Sequence, residues 1–562
     1  MKRNESDKPK HRSLKSISRR GFVGATAIAA MSLAGGLSGC SSQANSQGGA
    51  SETPVKDSTQ TSSSGANETL LPNPCGLEFS RPQGSEVSFV SQEIDPSEIT
   101  ETIECDVVVC GAGISGSTVA ASAAQNGLKV VVLEKGNTFA ARGTEIGAIG
   151  DRAHKAAGIE LDGKDFLNDA LETAHFRCDR TVWETWVERS GEALDWGMDT
   201  VGDACGDFYC TSDNSVFAGV TTWGTGVRVE KGIASFVEAM VSSAEEAGAE
   251  FRYQTPACKL ASDDSGAVAG VVAKSSDGYV QFTASKGVVL ATGGYEYNWD
   301  IMSKTIRPRD LAVYAWINPT LTNTGDGHLM GLEAGAAEDD YPHILMNDPA
   351  GAKTGNRANG AMLAFLRVNE NGERFVNENL SFEYMSNAIM YQPGAHGFVI
   401  MSGDILSALD KAKGGAPWTP EDMYDSIKDV LIEGDSLEDL ASKCGIDYEN
   451  LEKTVARYNE LCELGEDVDF GKNPTALLPI EEGPYYAVDE SGCCLVSVNG
   501  LRTNARAQVL GVDGSVIPNL YALGNVSGSM FNGTYPHHLS AVSHGRCVTW
   551  GYLVGRELAG LE

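Results

Sequence analysis

Cys105-Asp106-Val107-Val108-Val109-Cys110-Gly111-Ala112-Gly113-Ile114-Ser115-Gly116 joins an apolar run of strand length to a glycine turn. A helix of small residues follows and stops near Gly127. A second apolar run, Lys129 to Leu133, ends at Glu134 and Lys135. This is a βαβ unit with a G-x-G-x-x-G turn. Gly111 permits the tight turn, Gly113 lets the backbone approach a pyrophosphate, and Gly116 lets helix and strand pack closely. The helix N-terminus, with Ser115 in its first turn, offers unpaired N–H groups and positive potential to phosphates. Glu134 lies eighteen residues past Gly116, where its carboxylate can accept hydrogen bonds from a ribose. The unit therefore predicts a dinucleotide site.

Two further strands run into glycine turns: Gly287-Val288-Val289-Leu290-Ala291-Thr292-Gly293-Gly294 and Asn519-Leu520-Tyr521-Ala522-Leu523-Gly524-Asn525. With Thr324-Gly325-Asp326-Gly327 and Asn371-Gly372-Glu373-Arg374-Phe375-Val376-Asn377-Glu378, they resemble the flavoprotein-subunit family of fumarate reductases and succinate dehydrogenases, of the flavocytochrome c type without its haem domain. The likeness runs from about Glu101 to the C-terminus. It implies an α/β fold: a Rossmann-like FAD-binding domain built from both chain ends (101–325 and 491–562) with an inserted α+β capping domain at 326–490. Substrate is then expected where cap meets flavin, a domain-interface cleft.

The resemblance also places residues around FAD. Arg142-Gly143 and Gly147-Ala148 fall at the loop that the family sets near the isoalloxazine, although the usual G-G pair is not intact. Asp326, Gly524 and Asn525 belong to the cofactor set, and the Asn525 amide replaces a ribityl- or ribose-facing Glu. Ser540-Ala541-Val542 opens a final helix whose N–H groups face the flavin N1/O2 edge. No histidine stands at the family's covalent attachment point, so FAD is expected to be held non-covalently. No metal site is expected.

Departures from the family pattern narrow the substrate. Phe382 occupies the place of the proton-delivering Arg, Val496 that of a clamp His, and Tyr535 that of the Arg that holds a second carboxylate; the cap histidine falls near Asn347-Asp348-Pro349. With those groups gone, a buried dicarboxylate would lack partners at a cost of several kcal/mol. Fumarate and succinate are disfavoured. Thr534-Tyr535-Pro536 is similar instead to the 3-ketosteroid dehydrogenases, in which that Tyr hydrogen-bonds the keto oxygen; a phenol suits a developing enolate. Here the sequence continues His537-His538-Leu539 rather than G-x-G. Tyr384 is the phenol nearest the proton-transfer position, His537 is an acid with a suitable ordinary pKa, and Arg374 and Glu378 either relay protons or pair to fix their loop. Trp223, Tyr295 and Tyr297 either line a flat pocket or simply pack.

The rest of the chain sets the context. A basic stretch leads into Ser18-Arg19-Arg20-Gly21-Phe22-Val23 and then an Ala- and Gly-rich apolar run to Leu37-Ser38-Gly39-Cys40. This resembles a twin-arginine export signal (1–40) with a lipoprotein box, which implies an extracytoplasmic protein anchored through lipidated Cys40. The apolar run is too short and diluted for a membrane span. Residues 41–100, rich in Ser, Thr, Gln and Gly at first, read as a flexible tether and lead-in. The net charge of −33 across 562 residues argues against a nucleic-acid partner. The cysteines show neither haem-attachment nor ferredoxin spacing, although Cys205/Cys210 and Cys493-Cys494 leave redox or iron–sulfur ligation open. There is no second G-x-G-x-x-G for a nicotinamide cofactor.

These readings converge on an exported FAD-dependent oxidoreductase acting on CH–CH groups. It passes a hydride to an activated C=C of an unsaturated, non-dicarboxylate small molecule (an enone, an aryl enoate or a steroid-like molecule), as in anaerobic respiration. Electrons come from a separate membrane-linked carrier, a cytochrome or a flavin-carrying protein. The reverse chemistry, ketosteroid-type desaturation, is the alternative within the superfamily. An electron-transfer or binding lipoprotein without turnover is the alternative outside it.

Overall fold

The computed structural model describes residues 77, 81–82, 93–210, 216–217, 220–318, 320–414 and 418–562. The export signal, Cys40 and most of the tether lie outside the described residues. Among those described, no helix is long and apolar enough to cross a membrane.

The apolar run at Cys105 becomes the end of a strand, Ile99–Cys110, that is fully buried from Val107 to Cys110. It starts two residues ahead of the expected Glu101, because Ile99 and Glu101 already pair with Tyr279 and Val280. Val107–Cys110 pairs in parallel with Val130–Leu133 on one side and with Gly287–Leu290 on the other. Val288–Leu290 in turn pairs with Leu520–Ala522. The sheet therefore takes its strands from both chain ends, in the order Gln508–Leu510, Val516–Ala522, Gly278–Leu290, Ile99–Cys110, Val130–Leu133, Glu250–Arg252. Near-continuous Val, Leu and Cys suits a parallel sheet covered on both faces.

Helix Ile114–Gln125 covers one face, and the final helix Val542–Leu558 packs against it. Small residues permit the approach. A Cβ on Gly555 would sit 2.4 Å from Ser122 Oγ, and Ser122 Oγ donates to the Tyr552 carbonyl at 2.8 Å. Helix Asp326–Glu333 sends Met330 into the core on the sheet's other face, beside Leu501 and Val526.

A second sheet forms between the two halves of the first. Its longest strand, Tyr485–Ser497, is flanked by Ala315–Trp316 and Gly397–Ser402, with Leu345–Ala352 also paired to it. Helices Ile405–Ala412, Pro420–Ile427, Leu437–Cys444 and Tyr448–Leu464 bury Leu409, Met423, Ile427, Leu440 and Leu451 against it. The inserted part thus carries its own core, as an α+β cap does. A small third sheet, Glu145–Gly147, Gly226–Val229 and Phe208–Cys210, forms one wall of the space between cap and first sheet.

Candidate active site

Along the carboxyl ends of the parallel strands runs a groove lined by Gly111, Gly113, Ser115, Glu134, Lys135, Arg142, Thr292, Asp326, Gly524 and Asn525, among others. This is where open α/β sheets bind ligands. The three glycines divide their tasks. Gly111 has φ +106°, and a Cβ there would lie 2.4 Å from the Ala291 carbonyl. At Gly116 a Cβ would lie 1.9 Å from the Gly111 carbonyl. At Gly113 an added Cβ meets only the Ala140 carbonyl at 3.6 Å. The space in front of Gly113 is therefore not needed by the protein itself.

The groove's acids and bases are preset. Glu134 accepts from the backbone N–H of Ala112 at 2.9 Å and of Gly136 at 2.6 Å, which fixes its carboxylate at the mouth of the turn. Lys135 Nζ reaches Thr324 Oγ1 at 2.5 Å and Asp326 Oδ2 at 2.8 Å, tying the second strand to the Thr324-Gly325-Asp326-Gly327 turn. Asn525 Oδ1 accepts from the buried Arg546 at 2.8 Å. Thr292 Oγ1 is buried in the groove without a partner, an orphan that a bound ligand would satisfy. Open space at Gly113, an unpaired hydroxyl and a helix N-terminus together fit a dinucleotide.

The groove meets a second cavity of about 920 Å³. Arg142, Ser543 and His544 line both. Tyr535, His537, His538, Ser540, Phe382 and Trp418 line the cavity, as do Arg228 and Arg357. The final helix points its first turn here: Ala541 caps it in the left-handed region at φ 58°, and its carbonyl accepts from Gly147 N–H at 3.0 Å. Thr225 Oγ1 holds the Ser540 carbonyl at 2.7 Å. His544 Nδ1–H donates to the Glu145 carbonyl at 2.8 Å, and burial together with Arg142 pushes its pKa down to about 4, so the ring is neutral. Burial, then the Glu383 carboxylate, holds the Tyr535 phenol protonated well above its ordinary range.

Several sequence expectations are redistributed. Gly147 and Val542 support the groove from behind rather than touching it, since a Cβ on Gly147 would meet Ala541 at 2.8 Å and Val542 is wholly buried in the core. Gly143 and Ser540 line the cavity. Arg374 and Glu378 lie away from the cavity, in a buried cluster with Asp467 and Lys472. Tyr384 is 37% exposed and does not line the cavity, because its place on helix Phe382–Met390 turns it outward. Tyr295 and Tyr297 are buried and bonded to His343 and to the Asn318 carbonyl, and Trp223 donates to Asp169. They pack. Cys493 and Cys494 are free and buried, their thiols held protonated by desolvation, and Cys210 is free in the cavity wall.

The cavity also holds charges that the motifs did not announce. Arg357 reaches Asp348 Oδ2 at 2.6 Å, and Arg228 lies 3.6 Å from Glu145. Arg142 has no carboxylate partner among the described residues, and burial lowers its pKa. Phe382, Val496 and Tyr535 bring no cation to the family's dicarboxylate-binding positions, yet Arg142, Arg228 and Arg357 line the cavity. Arg142 reads in sequence as a flavin-loop residue; Arg228 and Arg357 arrive from other segments, where position-by-position reading does not look. Glu383, beside Phe382, turns inward to His537 Nδ1 at 2.8 Å; the sequence signal was its place one residue past the missing Arg.

Sheet order, glycine turn and groove define a flavin-binding α/β oxidoreductase. The chain belongs to the family described as FAD binding domain, whose model matches residues 106–540, and FAD is its cofactor. It is 27% identical to the vinyl phenol reductase of Lactiplantibacillus plantarum over 80% of this chain and 94% of that protein. It is 29% identical to the fumarate reductase (cytochrome) of Shewanella frigidimarina over 81% of this chain and 77% of the other. In fold it is similar to the 3-ketosteroid-Δ4-(5α)-dehydrogenase of Rhodococcus jostii RHA1, with a TM-score of 0.67 at 23% identity, covering 83% of this chain and 99% of that one. The fumarate reductase likeness of the sequence is thus met, and the ketosteroid dehydrogenase likeness is met in fold.

Proposed function

We propose that this chain is an exported, lipid-anchored reductase that saturates an activated C=C bond in a neutral or monoanionic small molecule, an enone or aryl enoate, using electrons delivered by a separate carrier. The observation that carries the reading is the junction at Arg142, Ser543 and His544, which opens the FAD groove directly onto a 920 Å³ cavity containing Tyr535 and His537. That space is far larger than a four-carbon diacid requires. The vinyl phenol reductase relative is named for a substrate that is not a dicarboxylate, which agrees with it.

FAD, when bound and reduced, supplies a hydride. The chain's own residues supply the rest. Tyr535 is positioned to donate a hydrogen bond to the activating carbonyl, a neutral donor in a dry site where charge develops. Arg142, half-buried and without a carboxylate partner among the described residues, attracts one negative charge or one carbonyl dipole; two further arginines are already matched by Asp348 and Glu145. The first turn of the final helix adds positive potential at the junction. The Ser18-Arg19-Arg20 signal and Cys40 support export and anchoring near a membrane-linked donor.

The test is anaerobic. Viologen-reduced protein is offered 4-vinylphenol, cinnamate, 4-androstene-3,17-dione and fumarate in turn. Reoxidation by one of the first three, well above fumarate, is expected. Reoxidation by a redox protein but by none of the four would favour an electron carrier. Steroid oxidation with an artificial acceptor would favour the desaturase direction, for which Tyr535-Pro536 is the supporting feature.

A further inference from the structure

We propose that His537, Glu383, Asp348 and Arg357 form the proton-delivery device of this cavity, with His537 Nε2 as the donor and Glu383 as the residue that holds it charged. The inference rests on the reading of the cavity as a C=C reductase site and assigns the proton that the motif position, Phe382, has no means to give.

Three distant segments build the cluster. Asp348 comes from strand Leu345–Ala352, Glu383 from helix Phe382–Met390, and His537 from the loop before the final helix. His537 Nδ1 lies 2.8 Å from Glu383 Oε2 and 3.4 Å from Asp348 Oδ1, while Arg357 Nη2 occupies Asp348 Oδ2 at 2.6 Å. Glu383 and Asp348 are 3% and 0% exposed, and Glu383 Oε1 and Asp348 Oδ1 have no hydrogen-bond partner. Two buried carboxylates against one half-exposed guanidinium leave a net single negative charge beside the imidazole. A proton on the imidazole balances it, and uncompensated buried charge is strongly disfavoured.

The surroundings agree. Burial raises the Glu383 pKa to about 7. Burial works against a charged His537, but the Glu383 and Asp348 carboxylates outweigh it, and Arg357 opposes them only in part, so the His537 pKa is raised. Its ring is clamped edge-on by Phe382 at 5.0 Å and Tyr535 at 5.6 Å. With Nδ1 engaged, Nε2 has no partner among the described residues, and the ring lines the cavity. His538 is turned elsewhere, towards Asp169 at 3.3 Å. Phe382 is thus a brace for the acid and not its vacancy.

The step balances. The substrate's π bond is lost as the two-electron hydride forms one C–H bond at the β-carbon. The electron pair released at the α-carbon takes the Nε2 proton to form the second C–H bond, and the neutral imidazole, its Nδ1–H still held by Glu383, takes a proton back at Nε2 from solvent entering the cavity. Asp348 and Arg357 are positioning residues.

Two readouts test this on the full FAD-loaded chain. In the first, ¹³C-labelled histidine NMR follows the Cε1 signal that disappears in His537→Gln, without substrate. Its titration midpoint should lie above the ordinary histidine value and fall by about one pH unit or more in Glu383→Gln, with partial recovery in Glu383→Asp. In the second, viologen-driven cinnamate reduction should drop about a hundredfold or more in His537→Gln with the flavin spectrum intact. The alkaline fall in rate should move to lower pH in Glu383→Gln, with little change in KM. A His537 midpoint at the ordinary value that ignores Glu383, or a His537→Gln rate within about threefold of the parent, would overturn the proposal. So would activity lost on chelation and restored by a divalent cation, since Asp348, Glu383 and His537 offer ligand atoms within 4.8 Å of one another. If cinnamate is not reduced at all, the functional reading fails for that substrate, while the NMR titration still decides where the proton sits.

Discussion

Arg374 forks onto Glu378, Nε to Oε1 at 2.9 Å and Nη2 to Oε2 at 2.7 Å, and the same Nη2 reaches Asp467 at 2.7 Å. Lys472 Nζ closes the cluster 3.3 Å from Glu378, and Tyr458 and Phe470 cover the guanidinium at 5.1 and 4.7 Å. A pair so enclosed holds helix Tyr448–Leu464 against the Asn371–Glu378 loop, so its loss is a stability event. Arg374→Met leaves Glu378 with Lys472 alone and Asp467 with backbone N–H groups alone, and should lower unfolding free energy by about 3 kcal/mol. The check is thermal or urea denaturation of the FAD-loaded protein. Turnover per bound FAD at a permissive temperature should stay within about twofold; a large fall at unchanged stability would return Arg374 to the chemistry.

The turn at Gly111–Gly116 separates cofactor from fold. A Cβ at Gly113 encounters only an ordinary contact in the protein, whereas at Gly116 it collides with the Gly111 carbonyl. Gly113→Val should therefore fold, with a circular dichroism spectrum like the parent's apoprotein, yet purify without yellow colour, because the side chain occupies the approach to the pyrophosphate. Gly116→Val should fail earlier, as insoluble or poorly folded protein. A yellow Gly113→Val would mean that the phosphates lie elsewhere.

Asp151 and His154 form a buried, very short hydrogen bond at the start of helix Arg152–Ala157, where Asp151 also caps the N–H groups of Ala153 and His154. Burial disfavours the imidazolium, but Asp151 more than offsets this and raises the His154 pKa to about 10. A folded-state pKa above the unfolded value gives stability that is complete below the unfolded value of about 6.5 and is lost as pH rises through about 10. Asp151→Asn keeps the cap but removes the charge. It should cost about 2–3 kcal/mol near pH 6 and progressively less from pH 7 to 10. Urea melts of both proteins across that range measure the difference; a gap independent of pH would show that the pair is not ionised.

The glycine turn, the parallel strands beside it and most of the groove were legible because they are local: strand, turn and helix follow one another within thirty residues, and each glycine has its own geometric reason. Gly111, Gly113, Ser115, Glu134, Lys135, Arg142, Asp326, Gly524 and Asn525 do line one groove. The proton chemistry was legible only in part: His537 reads as a candidate acid, but its partners do not. Phe382 reads as a missing acid, whereas the fold brings Glu383 to His537, 154 positions away in the chain, and adds Asp348 from a third segment. Tyr295 and Tyr297 stay open in the sequence, because aromatic residues near a glycine turn look alike whether they face a ligand or, as here, a His343 ring and a backbone carbonyl.

Tyr535 gives the sharpest test of the cavity. It is 2% exposed, packs edge-on against Phe531 at 4.9 Å and lines the cavity beside His537. It shares the cavity wall with Ser543, in the first turn of the helix that meets the FAD groove. Tyr535→Phe removes one oxygen and no packing volume, so the ring contacts with Phe531 and His537 persist, and the protein should keep its FAD and its melting temperature. Loss of a donor to a developing oxyanion typically costs about 3 kcal/mol, or about two orders of magnitude in rate. If the hydroxyl only braces the Pro536 turn, the change in barrier should stay below about 1 kcal/mol, within about fivefold in rate. Steady-state reduction of the best enone or aryl enoate by the flavin-replete variant distinguishes the two, and an unchanged rate would remove Tyr535 from the chemistry.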